Sequence, residues 1–346
     1  ILVLAVALLM FPQLAQTLYS PALSDIGQAF SVGPERAGQT LSVYFLAFAF
    51  GVVVWGRACD RWGRRPVMLA GLGLYVAASV LALSVSTFNG LLGAQAIAAF
   101  GAAVGSVVTQ TVLRDRYHGA QLGQVFSVLG IALAASPALG LFSGATLVQY
   151  FGYRGMLTGL LLLAAGLWAG CLLALPETRP TALSTLSLGE TVGLMLRDSG
   201  IWRSVGLVAA FNIALFSYYS VGPFIFARLG LSAAEFGYSG VLLALGSGLG
   251  AWLNKALLKR GLNGEQLVLT AAGVAVLGGL SVLLLQDSGL FVGPMVLVVL
   301  AFGMAIPNVL GAALVAYPDR LGTAAAVFGL FYYLVIGVGM ALVAWA

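Results

Sequence analysis

The sequence predicts an all-α polytopic membrane protein. Three observations carry this reading. Of the 346 residues, 61% are hydrophobic and only 8% are charged, whereas a soluble domain is about half apolar and about a quarter charged. The apolar residues form successive runs of the length a bilayer demands, roughly 20 residues each. The charged residues crowd into short connections between those runs. Such runs must be helices, because lipid offers no partner for backbone N–H and C=O groups. A membrane β-barrel would show alternating segments of about ten residues, and these runs are continuous.

Turn and charge signals place about eleven spans, at 1–24, 36–57, 66–86, 89–113, 121–149, 154–175, 201–227, 235–257, 265–286, 291–316 and 322–346. The chain starts and stops within apolar sequence. Both natural termini are therefore expected to lie beyond it, with a twelfth span after Ala346. The longest polar connection runs from Pro176 to Gly200. It divides the chain into an N-terminal six-helix bundle at 1–175, a central cytoplasmic loop at 176–200 and a C-terminal bundle at 201–346. Two six-helix bundles around a central loop suggest two halves related by a repeat. The loop Asn254–Gly261 supports this, since it repeats the basic character of the loop at 56–66 without its aspartate.

Charge asymmetry sets the orientation. Thirteen basic residues fall on one side: Arg57, Arg61, Arg64, Arg65, Arg114, Arg116, Arg179, Arg197, Arg203, Lys255, Lys259, Arg260 and Arg320. Three, Arg36, Arg154 and Arg228, fall on the other. The first side is cytoplasmic by the positive-inside rule. The net charge of +5 therefore reflects topology rather than a nucleic-acid partner. Cys59 and Cys171 are far apart and the single histidine, His118, lies in a loop. Neither a disulfide, a metal site nor a bound cofactor is expected. An enzyme would need a clustered nucleophile, base or metal, and no such cluster is visible.

Five of the eleven residues from Gly56 to Pro66 are charged. The pattern Gly56-x-x-x-Asp60-Arg61-x-Gly63-Arg64-Arg65 between the second and third spans resembles motif A of the major facilitator superfamily. Leu175-Pro176-Glu177-Thr178 resembles that family's ending of helix 6. Gly123, Ala132, Ser136, Pro137 and Gly140 in span five resemble motif C of its drug-exporting branch, with Ala132 and Ser136 standing where glycines are usual. Tyr19-x-Pro21-Ala22-Leu23, Gly222-Pro223-Phe224 and Ala316-Tyr317-Pro318-Asp319-Arg320 are similar to the bicyclomycin and chloramphenicol resistance (Bcr/CflA) group. The resemblance covers essentially the whole chain. It implies the major facilitator fold and a multi-pass protein of the bacterial inner membrane, acting as a monomer. It also implies secondary active export of a small molecule by alternating access, with proton antiport.

Each motif has an expected task. Gly56 and Gly63 permit close approach and a tight turn. Asp60, with Arg61, Arg64 and Arg65 around it, is expected to face the start of span eleven near Gly322 and Thr323. A positive helix end there would attract a carboxylate. Asp60, Arg64 and Asp115 would then latch the halves when the cytoplasmic side closes. The small residues Gly123 and Gly140, with Pro137, are expected to seal the halves on the outer side. Polar and aromatic groups in the spans are the candidates for a substrate cavity: Gln13, Gln16, Thr17, Tyr19, Tyr44, Gln95, Gln110, Asn212, Tyr218, Tyr219, Asn308, Phe328 and Tyr332. Such a lining suits a moderately apolar ligand with a few hydrogen-bonding groups.

No acidic residue falls at the centre of a span. Related exporters often carry an acid two positions before the tyrosine of Tyr19-x-Pro21, where Thr17 stands here. They also carry a motif B arginine in helix 4, where Gln95 stands. Asp25, near the outer end of span one, is the remaining candidate for a proton site. A neutral cavity favours a neutral or zwitterionic substrate, a drug-like compound or metabolite, with an uncoupled facilitator or a siderophore or metabolite exporter as the alternative.

Overall fold

The computed structural model describes residues 2–117, 119–179, 188–317 and 321–345. His118, Pro180, Thr181, Ser184, Thr185, Ser187, Pro318, Asp319 and Arg320 lie outside the described residues. No strand occurs among the described residues. The first span is α1 (Leu2–Tyr19) and α2 (Leu23–Ala29), joined by a 3₁₀ turn at Ser20–Ala22. Pro21 falls in this turn, where its missing N–H costs nothing. There follow α3 (Pro34–Trp62), α4 (Arg64–Ser84), α5 (Phe88–Arg116) and α6 (Gly119–Ala174). The second part holds α7 (Leu188–Leu196), α8 (Ser199–Arg228), α9 (Ala233–Lys259), α10 (Gly264–Leu285), α11 (Val292–Ala313) and α12 (Leu321–Trp345). Ser232 and Asn263 start α9 and α10 with capping boxes, each side chain accepting from the third helical N–H. Such caps satisfy N–H groups that lack intrahelical partners.

Ten helical segments are long and apolar enough to cross a bilayer. One of them, Ala135–Ala174, has 40 residues. At 1.5 Å per residue that is about 60 Å, twice the hydrocarbon thickness. The chain reverses within it at Gly152, whose φ of 64° and ψ of −172° break the helix. The two arms lie side by side: a Cβ added to Gly159 would sit 2.8 Å from the Leu147 side chain. The two crossings expected at 121–149 and 154–175 are therefore both present, as arms of α6.

The polar connection departs from expectation. It contains α7, whose Met195 is fully buried with Ile201, Val205, Val309 and Phe328, while Leu188 and Val192 pack alongside. Leu188, Val192 and Met195 share one face at spacings of four and three, the pattern of an amphipathic helix. Its brevity hid it among the polar residues of that stretch.

Apolar burial is organised by depth. One large cluster joins α1–α6 to α8, α9, α11 and α12, and includes Tyr19, Phe45, Leu141, Phe216 and Phe236. Two smaller clusters sit at the end of the molecule that carries the basic turn at 56–66, one from α1, α5 and α6 and one from α7, α8, α11 and α12. Neither of these mixes the two parts of the chain. Contacts between the two parts of the chain fall within the large cluster, through pairs such as Phe45 with Phe216, while each small cluster stays within one part.

Without a hydrophobic drive between helices in lipid, small residues let backbones approach and gain dispersion contacts. A Cβ on Gly250 of α9 would lie 2.0 Å from the Leu300 carbonyl oxygen of α11. Gly248, two residues earlier and so on the opposite face of α9, meets nothing within 4 Å. Gly250→Ala should therefore lower stability by about 1–3 kcal/mol, while Gly248→Ala should be neutral or slightly stabilising. Melting temperatures of the two variants in detergent check this, and equal effects would show that α9 and α11 do not pack this closely.

Candidate functional site

The basic turn after α3 is built around glycine geometry. Gly63 has φ 99°, a left-handed conformation that other residues rarely adopt. A Cβ there would also lie 2.5 Å from Glu177 Oε2. Beyond the turn, the Arg64 and Arg65 N–H groups donate to the Glu177 carboxylate at 2.9 and 3.2 Å. Glu177 also accepts from the N–H groups of Thr178 and Arg179 at 3.0 and 2.9 Å. One carboxylate thus caps α4 and shapes the exit from α6. Partial burial pushes its pKa up, and the four backbone donors outweigh that and hold it below the ordinary glutamate value.

The Arg64 side chain is buried, at 3% relative exposure, so its charge needs partners. Its Nε donates to Asp115 Oδ2 at 2.7 Å and its Nη1 to the Cys59 carbonyl at 3.2 Å. Thr178 Oγ1 donates to the same Asp115 oxygen at 3.0 Å. Asp60 is a lesser partner, 3.7 Å from Arg64 with its side chain 64% exposed. The expected network around Asp60 is therefore centred on Arg64, Asp115 and Glu177, all within the N-terminal half. Arg65 donates to the Leu172 carbonyl at 2.7 Å, Arg61 lies over the Trp62 ring, and Gly56 faces Val107 of α5. The ending Leu175-Pro176-Glu177-Thr178 was legible as a motif, but its task as a multiple N–H acceptor was not.

At the outer end the halves meet through a polar bond whose cause is local. Pro223 has no N–H, so the Tyr219 carbonyl one turn earlier lacks its helical donor. The Ser20 hydroxyl, from the turn between α1 and α2, donates to that carbonyl across the seam. Close helix contacts surround this bond. A Cβ on Gly38 of α3 would lie 3.0 Å from Ser220 Oγ and 3.3 Å from Ala344. At mid-depth an aromatic seam continues the contact. Phe45 meets Phe216 at 4.6 Å between centroids and Phe48 meets Tyr333 at 4.9 Å.

The glycine-rich arm of α6 has two working faces. Gly140 faces α1 of its own half: a Cβ there would lie 1.8 Å from Thr17 Oγ1. Leu141 packs under Gly240 of α9, and Ala145, with the backbone of Leu141 and Phe142, under Gly237. The face of this arm that meets α9 is thus formed by Leu141 and Ala145, opposed by two glycines of α9, while Gly140 looks into its own half. Sequence reading missed Gly237 and Gly240. Pro137 lies within α6 one turn before Leu141, and Gly123 lies near the start of the same helix.

The polar candidates separate into two sets. Gln16, Thr17, Tyr19, Tyr44, Gln95, Tyr218, Tyr219 and Phe328 are buried. Several of them bond other helices or their own backbone. Tyr44 donates to the Pro12 carbonyl at 2.6 Å, Thr17 to the Gln13 carbonyl at 2.8 Å, and Tyr218 shares a hydrogen bond with Ser239. Asn308, half-buried, donates to Asn254 Oδ1 at 2.7 Å and joins α11 to α9. These four were expected at the cavity, and their polar groups serve helix packing because a polar atom left alone in an apolar interior is costly. Gln13, Gln110, Asn212 and Tyr332 remain half-buried. Gln110 contacts Ser106 at 3.4 Å and Asn212 donates to the Val208 carbonyl at 2.8 Å. Among the described residues, Gln16 Nε2 and the Tyr19 hydroxyl are buried without a hydrogen-bond partner. Asp25 is half-buried in the first turn of α2. Among the described residues no three His, Cys, Asp or Glu side chains are grouped to hold a metal.

Two outcomes follow from this geometry. Folding stability should fall as pH drops below about 4.5, because Glu177 binds a proton more weakly folded than unfolded. Its contribution is complete above the unfolded value and is lost as pH falls through the lower folded value. Glu177→Gln should flatten that part of the profile, and a detergent melting series across pH 3–6 measures it. Gly140→Ala should destabilise by about 1–3 kcal/mol through its clash with Thr17, and adding Thr17→Ala should recover part of the loss. No recovery would show that the two positions are not in contact.

The comparisons agree with this architecture. Residues 5–340 match the family model described as Major Facilitator Superfamily. An "Uncharacterized transporter" of Rickettsia bellii is 30% identical over 93% of this chain and 84% of its own. Multidrug resistance protein D of Escherichia coli is 28% identical over 95% of this chain and 84% of its own. A chloramphenicol resistance protein of Pseudomonas aeruginosa is 27% identical, covering 91% and 76%. Among solved structures, the xylose transporter XylE from E. coli in a partially occluded inward-open conformation superposes with a TM-score of 0.71 at 15% identity, covering 100% of this chain and 95% of its own. With the fold, the basic turn and the sequence match in agreement, this chain belongs to the Major Facilitator Superfamily.

Proposed function

We propose that this protein exports a small, moderately apolar neutral or zwitterionic molecule across a bacterial inner membrane by alternating access. The bundles at 1–175 and 201–346 are the two moving bodies, and the state described is inward-facing. One observation carries the reading: the halves meet within the large cluster, with the Ser20 bond and the aromatic seam, while each small cluster stays within one half. A cavity reached from the cytoplasm would lie beneath the seam, lined by Gln13, Gln110, Asn212 and Tyr332. The resistance proteins among its relatives support a drug-like substrate.

Asp60 is the latch for the opposite state. α3 and α12 pack antiparallel, with Gly38 against Ala344, Leu46 against Gly337 and Val52 near Gly329. Continued to Asp60, this register reaches the first turn of α12, whose positive end would attract the carboxylate once the inner side closes. Its exposure here fits a latch that is open.

The same residues favour a second reading of the energetics. Antiport needs a group for which substrate and proton compete. Thr17 is neutral and turned into α6, and Gln95 is neutral and buried. Uncoupled facilitation is therefore the alternative to antiport. Chloramphenicol, a neutral and moderately apolar probe, separates the readings in proteoliposomes. Export predicts saturable flux that Asp60→Asn lowers at least about tenfold, the loss of roughly 1.4 kcal/mol or more in the conformational step. Antiport further predicts that collapsing the pH gradient abolishes accumulation, and facilitation predicts no effect. Full flux in Asp60→Asn at equal reconstitution would remove the latch.

A further inference from the structure

A cavity of about 180 Å³ lies between the halves at the outer end. Pro21, Ser24 and Asp25 form its wall on the N-terminal side, and Phe226, Ala227 and Phe236 line it from the C-terminal side. The two phenyl rings pack edge-to-face at 5.3 Å. The Asp25 carboxylate has no hydrogen bond or ion pair among the described residues, although three arginines lie at this end of the molecule. Each arginine is held elsewhere. Arg228 pairs with Asp287 at 3.0 Å and donates to the Gln286 carbonyl at 3.2 Å. Arg36 donates to Asn89 at 3.1 Å and covers the Phe88 ring. Arg154 donates to the Tyr153 hydroxyl at 3.3 Å. Glu235 is engaged with Ser232 in the cap of α9, and Glu35 in the first turn of α3 adds a further acid. Gly152, at the reversal of α6, lies beside the carboxylate: a Cβ there would be 3.9 Å from Asp25 Oδ2. The wall is thus acidic and aromatic, with no described cation to neutralise it.

We propose that this cavity binds a small organic monocation, an ammonium group on an aromatic-sized body, and that occupancy holds the outer end of the transporter shut. An ammonium pairs with the carboxylate by a charge-assisted hydrogen bond and is attracted to the ring faces. The size fits, since an apolar cavity of about 150 Å³ accommodates benzene. Both halves contribute walls, so the site exists only while the outer ends are together. A ligand that binds one conformation better draws the population toward it. An external cation therefore acts as a brake on turnover, at a site distinct from the neutral lining further in.

Benzylammonium is the probe and benzyl alcohol its neutral counterpart of similar shape, both tested on the purified full chain at pH 7. Benzylammonium should raise the apparent melting temperature by about 5 °C near 100 times its Kd. Spin labels on Gln28→Cys and Leu290→Cys, exposed positions on opposite halves, should shift toward the shorter distance. Asp25→Asn should abolish both responses. Ala227→Leu, which fills the cavity and keeps the carboxylate, should do the same. An equal response to benzyl alcohol, a full response in a folded Asp25→Asn protein, or a shift of the labels to longer distance would each overturn the proposal. Neither readout involves transport, so the result stands apart from the export reading.

Discussion

A polar group in the apolar layer is costly unless a partner within the protein meets it, because lipid supplies none. That constraint explains the main contacts of this molecule. Pro223 leaves a carbonyl without its helical donor, and Ser20 of the opposite half supplies one. Asn254 and Asn308 satisfy each other between α9 and α11. Arg64, buried at the end of a span, gathers Asp115 and the Cys59 carbonyl. In water each of these would be a modest contact. In lipid the alternative is an unpaired group, so each of them specifies which helices lie together.

The fold was largely legible in the sequence, and for the same reason. Span length and span number follow from hydrocarbon thickness and from the clustering of charge between apolar runs, which depend on local composition alone. Gly152 illustrates the limit of that legibility. The reversal between two apolar runs was placed correctly, yet its compactness, a single left-handed residue within one helical segment, carried no compositional signal. α7 was missed because nine residues with one buried apolar side chain, Met195, and two partly buried ones look like a polar loop until the bundle they cover is known.

The site was legible in its motifs and less so in its contacts. Periodicity marks a glycine as small and not which neighbour needs the space. Gly140 was thus assigned to the seam between halves when its absent side chain accommodates Thr17. Leu141 and Ala145, ordinary apolar residues by identity, meet α9 because Gly237 and Gly240 oppose them. Likewise the hydroxyl of Tyr44 and the amide of Asn308 looked available for a ligand. Only three-dimensional pairing shows that each already has a protein partner.

The chain between the two halves is fastened at both ends. On one side Glu177, Thr178 and Arg179 are bonded into the basic turn of the N-terminal half. On the other, α7 is seated on the C-terminal half through Met195. Asp198 accepts the Tyr317 hydroxyl at 2.7 Å and the Gly200 N–H at 2.8 Å, and is held below the ordinary aspartate value chiefly by the tyrosine bond. Only about nine peptide units link the two anchorages, a leash that reaches at most roughly 30 Å when pulled straight. Under the alternating-access reading proposed above, the connection would limit how widely the cytoplasmic mouth opens. Lengthening it would alter the stroke of the machine without touching a single residue of its interior.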